Sequence, residues 1–529
     1  MYNKISLPFK QVPQLSERDI AYQEEDPALS GLYDHSVSIE AFQEVISNRK
    51  ETKVPRQQIH NVLSQQYEVL EASASTQKNI DAFLNEDTYS IVTAHQPSML
   101  TGPLYYIYKI CSIISLSAQL NERFSDIHVV PVFVTGGEDH DFEEIATLHL
   151  FNKDFTWQTD QKGATGRMSL DGLREVLDHV EATFGNMPHA EKLKSIIEDS
   201  YNRAKNYGQF IMMLTNHLFQ DHGLVIFNMD HAELKKELLP LIVKDIKYEI
   251  SQKSVLKDQE AIKEAGFKEQ AHAREVNIFW HDEDRHRVIK EDSQYTIGDS
   301  TYTQETLIKL LESKPASISP NVVLRPVYQE FILPNLAYVG GGGELAYWLE
   351  RRSLFSELEI PFPMLIRRDS VLIVDKKSQE ILQKNQLEAI DLFSREEQLV
   401  ARLARNKTDI EIDLNSFRKK AALLFEEIKE VAVQVDPSLG KTTLSEGTKT
   451  MKSIDMIESK MMRAAKQQNE TSAKRITKIK HKLFPNNDSL QERYDNFIPF
   501  YLQNGSRWIE CLIHHLDPMD KSFKILLEE

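Results

Sequence analysis

Five short apolar runs between residues 90 and 367 predict the core of the fold. They are SIVTA at 90–94, VVPVFVT at 129–135, GLVIFN at 223–228, LAYVG at 336–340 and PMLIR at 363–367. The runs are rich in Val, Ile and Leu and do not alternate with polar residues, which is typical of parallel strands covered on both faces. Helical patterns lie between them. This alternation of strand and helix predicts an α/β protein with a doubly wound parallel sheet.

The spacing of the five runs is uneven, which indicates inserted subdomains. Residues 150–222 carry mostly helical patterns. Residues 255–320 mix helix with short strands, because EVNIFWHD, HRVIKED and QYTIGD resemble a small meander. We therefore expect a core domain over residues 1–375, with inserts at about 150–222 and 255–320 and a helical stretch over residues 1–90.

A helical domain is expected over residues 376–529, where heptad patterns replace the strand signals. The first predicted seam consists of Leu414, Phe417, Ala421, Leu424, Ile428, Val431 and Val435. The second, after the turn VDPSLGKT, consists of Ile454, Ile457, Met461, Ala465, Gln468, Ser472, Ile476, Ile479 and Leu483. Together they predict an antiparallel coiled coil that projects from the core, and the end of the chain is expected to return to the core. A helical bundle packed on the sheet is the alternative.

Three methionines, Met451, Met456 and Met462, lie off the second seam and would stay exposed in a lone hairpin. Exposed apolar surface of this kind usually marks an interface, and a symmetric contact between two copies is the commonest solution. We therefore expect a homodimer through the coiled coil. The alternative is that these methionines pack back onto the core.

The composition narrows the class of protein. Of the 529 residues, 41% are hydrophobic and 27% are charged, which fits a folded, soluble chain. The net charge of −17 argues against a nucleic-acid partner, since such proteins favour a basic surface. There are only two cysteines, no signal-peptide pattern, and no apolar run of about 18 residues. We expect a cytoplasmic protein that does not enter a membrane.

Three of the apolar runs end in loops rich in glycine and polar residues, at the edge of a parallel sheet where ligands bind. The first loop contains His95, Gln96, Thr101 and Gly102, and Pro103 is predicted to be the first residue of the next helix. Free N–H groups at that helix start would favour an anion.

The second and third loops add flexible backbone and carboxylates. The second begins with Gly136 and Gly137, which permit a tight turn, and continues with possible proton acceptors: Glu138, Asp139, His140 and Asp141. The third has four glycines, Gly340 to Gly343, before Glu344 at a helix start, and permits close approach of the backbone to a ligand. Each loop has a structural alternative, because glycine is ordinary at a turn and Asp or Glu can simply cap a helix.

Two further segments carry polar residues beside apolar runs. EQAHAREVNIFW contains His272 and Arg274, and SISPNVVLRPVYQEFILP contains Asn321 and Arg325. Arg can bind a carboxylate or phosphate through two hydrogen bonds, or it can form a salt bridge at the sheet rim. With the three loops, these segments predict a site for a small anionic molecule. No obligatory metal is expected at EDHD, since adjacent residues cannot all point inward and no second His cluster completes a site.

Six stretches resemble the cysteine ligase family of bacillithiol biosynthesis, BshC, in the family's order and over nearly the whole chain. They are TAHQPSMLTGPLYYIYK, VVPVFVTGGEDHDFEEI, HAREVNIFW, SPNVVLRPVYQEFILPNLAYVGGGGELAYWLE, IPFPMLIRR and LFPNNDSLQERYDNFIPFY. The family's first loop usually reads Thr-Gly-Gln-Gln, whereas this chain has Thr93, Ala94, His95 and Gln96, so His95 is not expected to be an essential catalyst. The family's glycine loop, Gly-Gly-Pro/Gly-x-Glu, is matched by Gly341, Gly342 and Glu344.

The resemblance implies a Rossmann-like core similar to class I aminoacyl-tRNA synthetases and nucleotidylyltransferases, with a coiled coil that supports a dimer. It implies a ligase that joins cysteine to the amine of glucosaminyl-malate, forming bacillithiol. A free carboxylate does not acylate an amine, so the cysteinyl carboxyl would be activated as an adenylate or acyl phosphate.

Roles for residues follow from that chemistry. The first loop and Arg325 would bind phosphate or malate. Glu138, Asp139 and Asp141 would bind the amine, and His140 would be the base. The other predicted substrate- or nucleotide-binding residues are Gly136, Gly137, His272, Arg274, Asn321, Gly341, Gly342 and Glu344.

No tightly bound cofactor is expected, and ATP with magnesium is an open co-substrate because no lysine-rich signature of the tRNA synthetases is visible. Two alternatives stay open. One is a nucleotidylyltransferase-like enzyme acting on another small anionic substrate. The other is a non-catalytic coiled-coil scaffold.

Overall fold

The computed structural model describes residues 2–282, 284–406 and 413–529, and the chain divides into two compact units. One unit contains Ser6–Val371 and Glu492–Lys524. The other contains Met1–Ile5, Leu372–Gln491 and Ile525–Glu529.

The secondary structure elements are numbered in chain order. The strands are β1 (Tyr2–Pro8), β2 (Thr88–His95), β3 (His128–Thr135), β4 (Thr147–Leu150), β5 (Lys153–Thr156), β6 (Val225–Asn228), β7 (Ile278–His281), β8 (Arg285–Glu291), β9 (Gln294–Ile297), β10 (Ser300–Thr303), β11 (Ile318–Pro320), β12 (Asn335–Gly340), β13 (Met364–Arg367), β14 (Ser370–Val374) and β15 (Ser522–Glu528). The helices are α1 (Glu17–Gln23), α2 (Phe42–Lys50), α3 (Arg56–Leu70), α4 (Ala74–Ala82), α5 (Tyr105–Arg123), α6 (Phe142–Ile145), α7 (Leu173–Ala182), α8 (Ala190–Arg203), α9 (Tyr207–Phe219), α10 (Ala232–Tyr248), α11 (Ile250–Glu264), α12 (Gln304–Ser313), α13 (Leu324–Ile332), α14 (Gly342–Leu349), α15 (Arg352–Glu357), α16 (Lys376–Lys384), α17 (Glu396–Asn406), α18 (Asn415–Val435), α19 (Leu439–Gln468), α20 (Glu470–Leu483), α21 (Pro485–Asp488), α22 (Ile498–Asn504) and α23 (Ser506–His515).

A five-stranded parallel sheet forms the centre of the larger unit, in the order β13, β12, β2, β3, β6. These strands correspond to the five apolar runs, which confirms the predicted doubly wound sheet. In order of appearance along the chain they lie as 5-4-1-2-3, so the connections diverge on either side of the β2–β12 pair. A crevice at such a switch point, beyond the carboxyl ends of the strands, is where ligands bind in this class of fold.

Two inserts interrupt the winding of the sheet. The first contains the β4–β5 hairpin and the helices α7, α8 and α9. The second contains an antiparallel sheet in the order β10, β9, β8, β7, β11, together with α12. The meander in the second insert brings β8 and β11 to the same subdomain, and both contribute residues to the cavity described below.

The chain after β2 does not enter its helix where the sequence indicated. Helix α5 begins at Tyr105, so Pro103 lies before the helix and is not its first residue. A short 3-10 turn, Met99–Thr101, comes first, and Leu100, Thr101 and Gly102 all have positive φ. This reversal is held from outside, because the Asn496 side chain donates to the carbonyls of Leu100 and Gly102.

The smaller unit contains the helical hairpin, in which α18 packs along α19. The side of α18 that is partly covered carries Arg418, Ala421 and Phe425. Arg418 forms ion pairs with Asp455 and Glu458 of α19. Gly447 lies against the Phe425 ring, where an added Cβ would come within 3.1 Å. The two helices thus meet through Ala421, the Phe425–Gly447 contact and the ion pairs of Arg418.

Most residues of the predicted first seam are exposed, so the prediction that they pack inside the hairpin is wrong for them. The exposed members are Phe417, Leu424, Ile428, Val431 and Val435, with 44% to 79% of their surface accessible. The apolar residues of α18 lie on more than one face of the helix, and a single neighbouring helix can cover only one face.

The second seam is divided between two helices, α19 and α20. Ile476, Ile479 and Leu483 of α20 are buried, whereas Ile457 of α19 is 53% exposed. Ile454, Met461 and Ser472 are partly buried, and the side chains of Ala465 and Gln468 lie outside the described residues.

Of the three methionines expected to be exposed, only Met456 is, at 58%. Met451 is partly buried. Met462 packs against Ala404 of α17, which corrects the expectation for that residue. Throughout the described part of the chain, no helix is both long and apolar enough to cross a membrane.

Candidate active site at the carboxyl edge of the sheet

A cavity of about 840 Å³ lies in the larger unit, at the carboxyl ends of β2, β3 and β12. The loops after these strands form its floor, and α13, α14 and the meander contribute its sides. This is the crevice expected at the switch point of the sheet. Acidic and basic side chains both line its wall.

Asp139 is an ionised carboxylate at the cavity wall. Its Oδ2 accepts a hydrogen bond from Gln96 Nε2 at 2.7 Å, and its Oδ1 lies 3.4 Å from Nη1 of Arg285. Burial opposes ionisation, but the hydrogen bond from Gln96 and the charge of Arg285 outweigh it and lower the pKa of Asp139. Asp139 therefore presents a negative charge to the cavity.

Glu138 belongs to a buried ionic network beside Asp139. Lys235, which is fully buried, donates to Glu138 Oε1 at 2.6 Å and to Asp230 Oδ1 at 2.5 Å. Arg167 binds both oxygens of Asp230 at 2.7 Å. Burial raises the pKa of Glu138 even though Lys235 opposes the shift. A carboxylate with a raised pKa is better suited to accept a proton than an ordinary one.

Lys109 and Glu344 form another ion pair at the cavity wall. Lys109 Nζ donates to Glu344 Oε1 at 2.6 Å and to the carbonyl of Ala94 at 2.7 Å. Glu344 Oε2 accepts from the backbone N–H of Gly341 at 2.7 Å, so it also caps α14. Burial opposes ionisation of Glu344, but the charge of Lys109 lowers its pKa.

Three arginines that line the cavity, Arg325, Arg367 and Arg368, differ in whether a carboxylate neutralises their charge. Arg367 pairs with Asp19 at 2.9 Å, and Arg368 pairs with Glu492 at 2.9 Å. Arg325 donates to the neutral amide of Gln329 at 3.2 Å and has no carboxylate within ion-pair distance among the described residues. Its charge is therefore available to an anionic ligand.

His95 is held as a neutral ring at the end of β2. Its Nδ1 lies 2.9 Å from the carbonyl of Gln96, and its Nε2 lies 3.3 Å from the hydroxyl of Tyr105. Burial, with the charge of Lys109, lowers the pKa of His95 to about 4. A ring with that pKa is a weak base near neutral pH.

Comparison with known families assigns the whole chain. The Rossmann-like N-terminal domain of bacillithiol biosynthesis BshC matches residues 4–369, and the C-terminal coiled-coil domain of BshC matches residues 371–528. The chain belongs to the BshC family. This confirms the resemblance carried by the six sequence stretches.

The relatives match over nearly their full length. Proteins from Flavobacterium johnsoniae and Christiangramia forsetii are each 35% identical, over 510 and 514 residues, and the matches cover 96% of this chain and 96% and 95% of theirs. A protein from Bacillus cereus is 28% identical over 505 residues, covering 92% of this chain and 93% of its own. All three are named "Putative cysteine ligase BshC".

The structure brings most of the sequence-predicted BshC residues to the cavity wall. These are His95, Gln96, Gly136, Glu138, Asp139, Asn321, Arg325, Gly341, Gly342 and Glu344. Gly137 lines a smaller neighbouring cavity of about 320 Å³. Residues from three separate loops and from the second insert therefore meet at one edge of the sheet.

Six predicted residues are not at the wall. Thr101 and Gly102 belong to the 3-10 turn region, and Thr101 is fully buried there. Asp141 caps α6 by accepting from the N–H of Glu144, which was the structural alternative for this loop. The others are His140, whose Nδ1 lies 2.7 Å from Arg285 Nη1, and the exposed His272 and Arg274.

Several cavity residues were missed from the sequence. They are Lys109, Arg285, Arg367, Arg368 and Arg493. Arg367 and Arg368 end a predicted strand, so the rule applied to the other strand ends could have found them. Lys109 lies four positions after Tyr105 on α5, where it is indistinguishable from any helical lysine. Across the described residues, no group of three or more His, Cys, Asp or Glu side chains could hold a metal ion.

Proposed function

We propose that this chain is a ligase that joins the carboxyl group of cysteine to the amine of glucosaminyl-malate, which forms an amide and completes bacillithiol. The match to both BshC domains and the names of the relatives support this. The observation that carries it is that one cavity is lined both by the ionised Asp139 and by Arg325, which has no carboxylate within ion-pair distance among the described residues. Such a cavity suits one cationic and one anionic substrate group.

The malate group would bind at Arg325 and Arg493. Arg325 offers a guanidinium without a carboxylate partner among the described residues, and a guanidinium can bind a carboxylate through two parallel hydrogen bonds. Arg493, which also lines the cavity, would face the second carboxylate of malate. Arg367 and Arg368, already paired with acids, would add positive potential.

The amino groups of cysteine and of the sugar would bind near Asp139 and Glu138. Asp139, whose pKa is lowered, would hold the ammonium of cysteine. Glu138, whose pKa is raised, would accept the proton that the sugar amine loses as it attacks. Since the Nδ1 of His140 is engaged by Arg285, we assign His140 to the orientation of Arg285 rather than to the base.

The cysteine carboxylate must be activated first, because its oxygen is a poor leaving group. We propose ATP with magnesium as the co-substrate and an adenylate or acyl phosphate as the activated form. The amine nitrogen then forms a bond to the acyl carbon, the bond to the phosphate oxygen breaks, and the proton passes to Glu138.

We also propose that the protein acts in the cytoplasm as a homodimer formed through the coiled coil. The exposed apolar residues of α18 support this assembly, since Leu424, Ile428 and Val431 lie on one helix with 44% to 63% of their surface accessible. A patch of this kind usually marks an interface.

The test is incubation of the pure protein with glucosaminyl-malate and cysteine, with and without ATP and magnesium, followed by mass spectrometry. We expect a product with the mass of the amide only in the complete mixture. The Asp139→Asn variant is the control for a contaminating activity. Failure to form the amide with any nucleoside triphosphate, by a protein that binds glucosaminyl-malate, would refute the ligase assignment.

A further inference from the structure

A buried chain of hydrogen bonds lies behind Arg325. On α13, Arg325 and Gln329 are one turn apart, and Arg325 Nη1 donates to Gln329 Oε1 at 3.2 Å. Gln329 Nε2 donates to Glu330 Oε1 at 2.8 Å. The same oxygen accepts from Asn335 Nδ2 at 2.8 Å. The chain therefore connects a cavity-lining cation to a carboxylate that is 1% exposed.

This arrangement fixes which end of the Gln329 amide faces Arg325. A glutamine side chain has one end that only accepts and one that only donates. If the amide were reversed, its N–H groups would face the guanidinium and its oxygen would face the Glu330 carboxylate. Both contacts would then be repulsive, and such losses are costly at side chains as buried as Gln329 and Glu330. Glu330 thus determines the orientation of Gln329, and Gln329 holds Arg325 together with the side chains of Tyr338 and Tyr347, which also form hydrogen bonds with Arg325.

The anchor of Arg325 is neutral, which matters for binding. An acid in direct contact would neutralise the guanidinium, as Glu492 does for Arg368. At Arg325 the contact is made by the neutral amide of Gln329, and the acid, Glu330, contacts Gln329 instead of the guanidinium. The geometry of Arg325 is therefore held while its charge stays available to a ligand.

The backbone at Glu330 is held by a buried arginine. Arg49, which is buried, donates from Nη2 to the backbone carbonyls of Glu330 and Leu333. Glu330 Oε2 has no hydrogen-bond partner among the described residues. A proton on Oε2 would leave Oε1 free to accept from both amides, so the chain to Arg325 persists in either protonation state.

We propose that Gln329 and Glu330 are positioning residues that hold the Arg325 guanidinium in place for an anionic group of the substrate. The inference rests on the proposed function, in which that group is a carboxylate of malate. It predicts that Glu330, which does not line the cavity, controls the affinity for the substrate through Gln329, which does.

The experiment measures the affinity of glucosaminyl-malate by titration calorimetry and the turnover at saturating substrate. Gln329→Met and Glu330→Met remove the polar chain at similar volume, and each should weaken binding about tenfold, the usual effect of losing a hydrogen bond to a charged group. Turnover should change less than affinity. Glu330→Gln should restore wild-type affinity to within about twofold, because its amide oxygen can accept both hydrogen bonds.

Two further variants distinguish a wrong malate site from a wrong positioning role. Gln119→Met removes a side-chain hydrogen bond to Asp517 away from the cavity and should leave affinity unchanged. Arg325→Met should abolish most of the binding; if it does not, the assigned malate site is wrong. If Arg325→Met abolishes binding while folded Gln329→Met retains wild-type affinity, the positioning role is overturned even if Glu330→Met does not fold.

Discussion

Replacing Glu330 by Gln should change how the stability of the larger unit depends on pH. In the folded protein, burial raises the pKa of Glu330 to about 7 from an ordinary value of 4.5, although Arg49 and the amides of Gln329 and Asn335 oppose the shift. Below pH 4.5 the group is protonated in both the folded and the unfolded chain. As the pH rises towards 7, the unfolded chain releases a proton that the folded chain keeps, so stability is lost.

The size of the effect follows from that shift. The folded and ordinary values differ by about 2.5 pKa units, and each unit corresponds to about 1.4 kcal/mol, which gives about 3.5 kcal/mol in total. Glu330→Gln has no proton to release. The unfolding free energy of the variant relative to wild type should therefore rise by about 2 to 3 kcal/mol between about pH 5 and about pH 8.

The assay is urea unfolding of both proteins at several pH values, followed by a probe within the larger unit. Taking the difference between the two proteins cancels the other titrating groups, which they share. A difference that stays constant across this range would refute the reasoning, since Glu330 would then have its ordinary pKa despite its burial.

The remaining predictions concern the site, a close contact and the assembly. Asp139→Asn should reduce amide formation at least a hundredfold in the mass-spectrometric assay, because a neutral amide cannot balance the cysteine ammonium, and the melting temperature should change little. Gly342→Ala should lower the unfolding free energy by about 2 kcal/mol or more in urea, since the new Cβ would lie 2.2 Å from a buried carboxylate oxygen; Gly343→Ala, with nothing within 4 Å, is the matched control. Ile428→Glu should give a folded monomer in light scattering, whereas Glu427→Lys on the same helix should leave a dimer.

Each of these expectations has an outcome that contradicts it. An active Asp139→Asn enzyme would mean that the ammonium binds elsewhere. Equal stability of the two glycine variants would show that the chain near Gly342 relaxes without cost. A wild-type protein that is already monomeric at micromolar concentration would leave the exposed face of α18 with a different role.

The central sheet could be predicted because its strands are buried on both faces. Such strands must be apolar along their whole length, and this leaves continuous runs such as those that became β2 and β3. The loops at their ends could be found for the same reason, since polar residues directly after a buried strand are conspicuous. His95, Asp139 and Glu344 were located in this way.

The face of α18 that packs against α19 could not be predicted from the sequence. Apolar residues lie on more than one face of α18, since Phe417, Leu424 and Ile428 are exposed whereas Phe425 is partly covered. Which face meets α19 depends on the residues that α19 presents, including Gly447 and the acids that pair with Arg418. The periodicity of one helix contains no information about its partner.

The sequence by itself determined the class of fold, the edge of the sheet that carries the site and the family, because each depends on the order of residues along short segments. Only the tertiary structure decided which charges face the cavity. Arg285 reaches Asp139 from an insert 146 residues away, and Glu492 pairs with Arg368 across 124 residues. Whether a charged side chain is neutralised or free depends on neighbours brought together by packing, and those neighbours leave no local pattern in the chain.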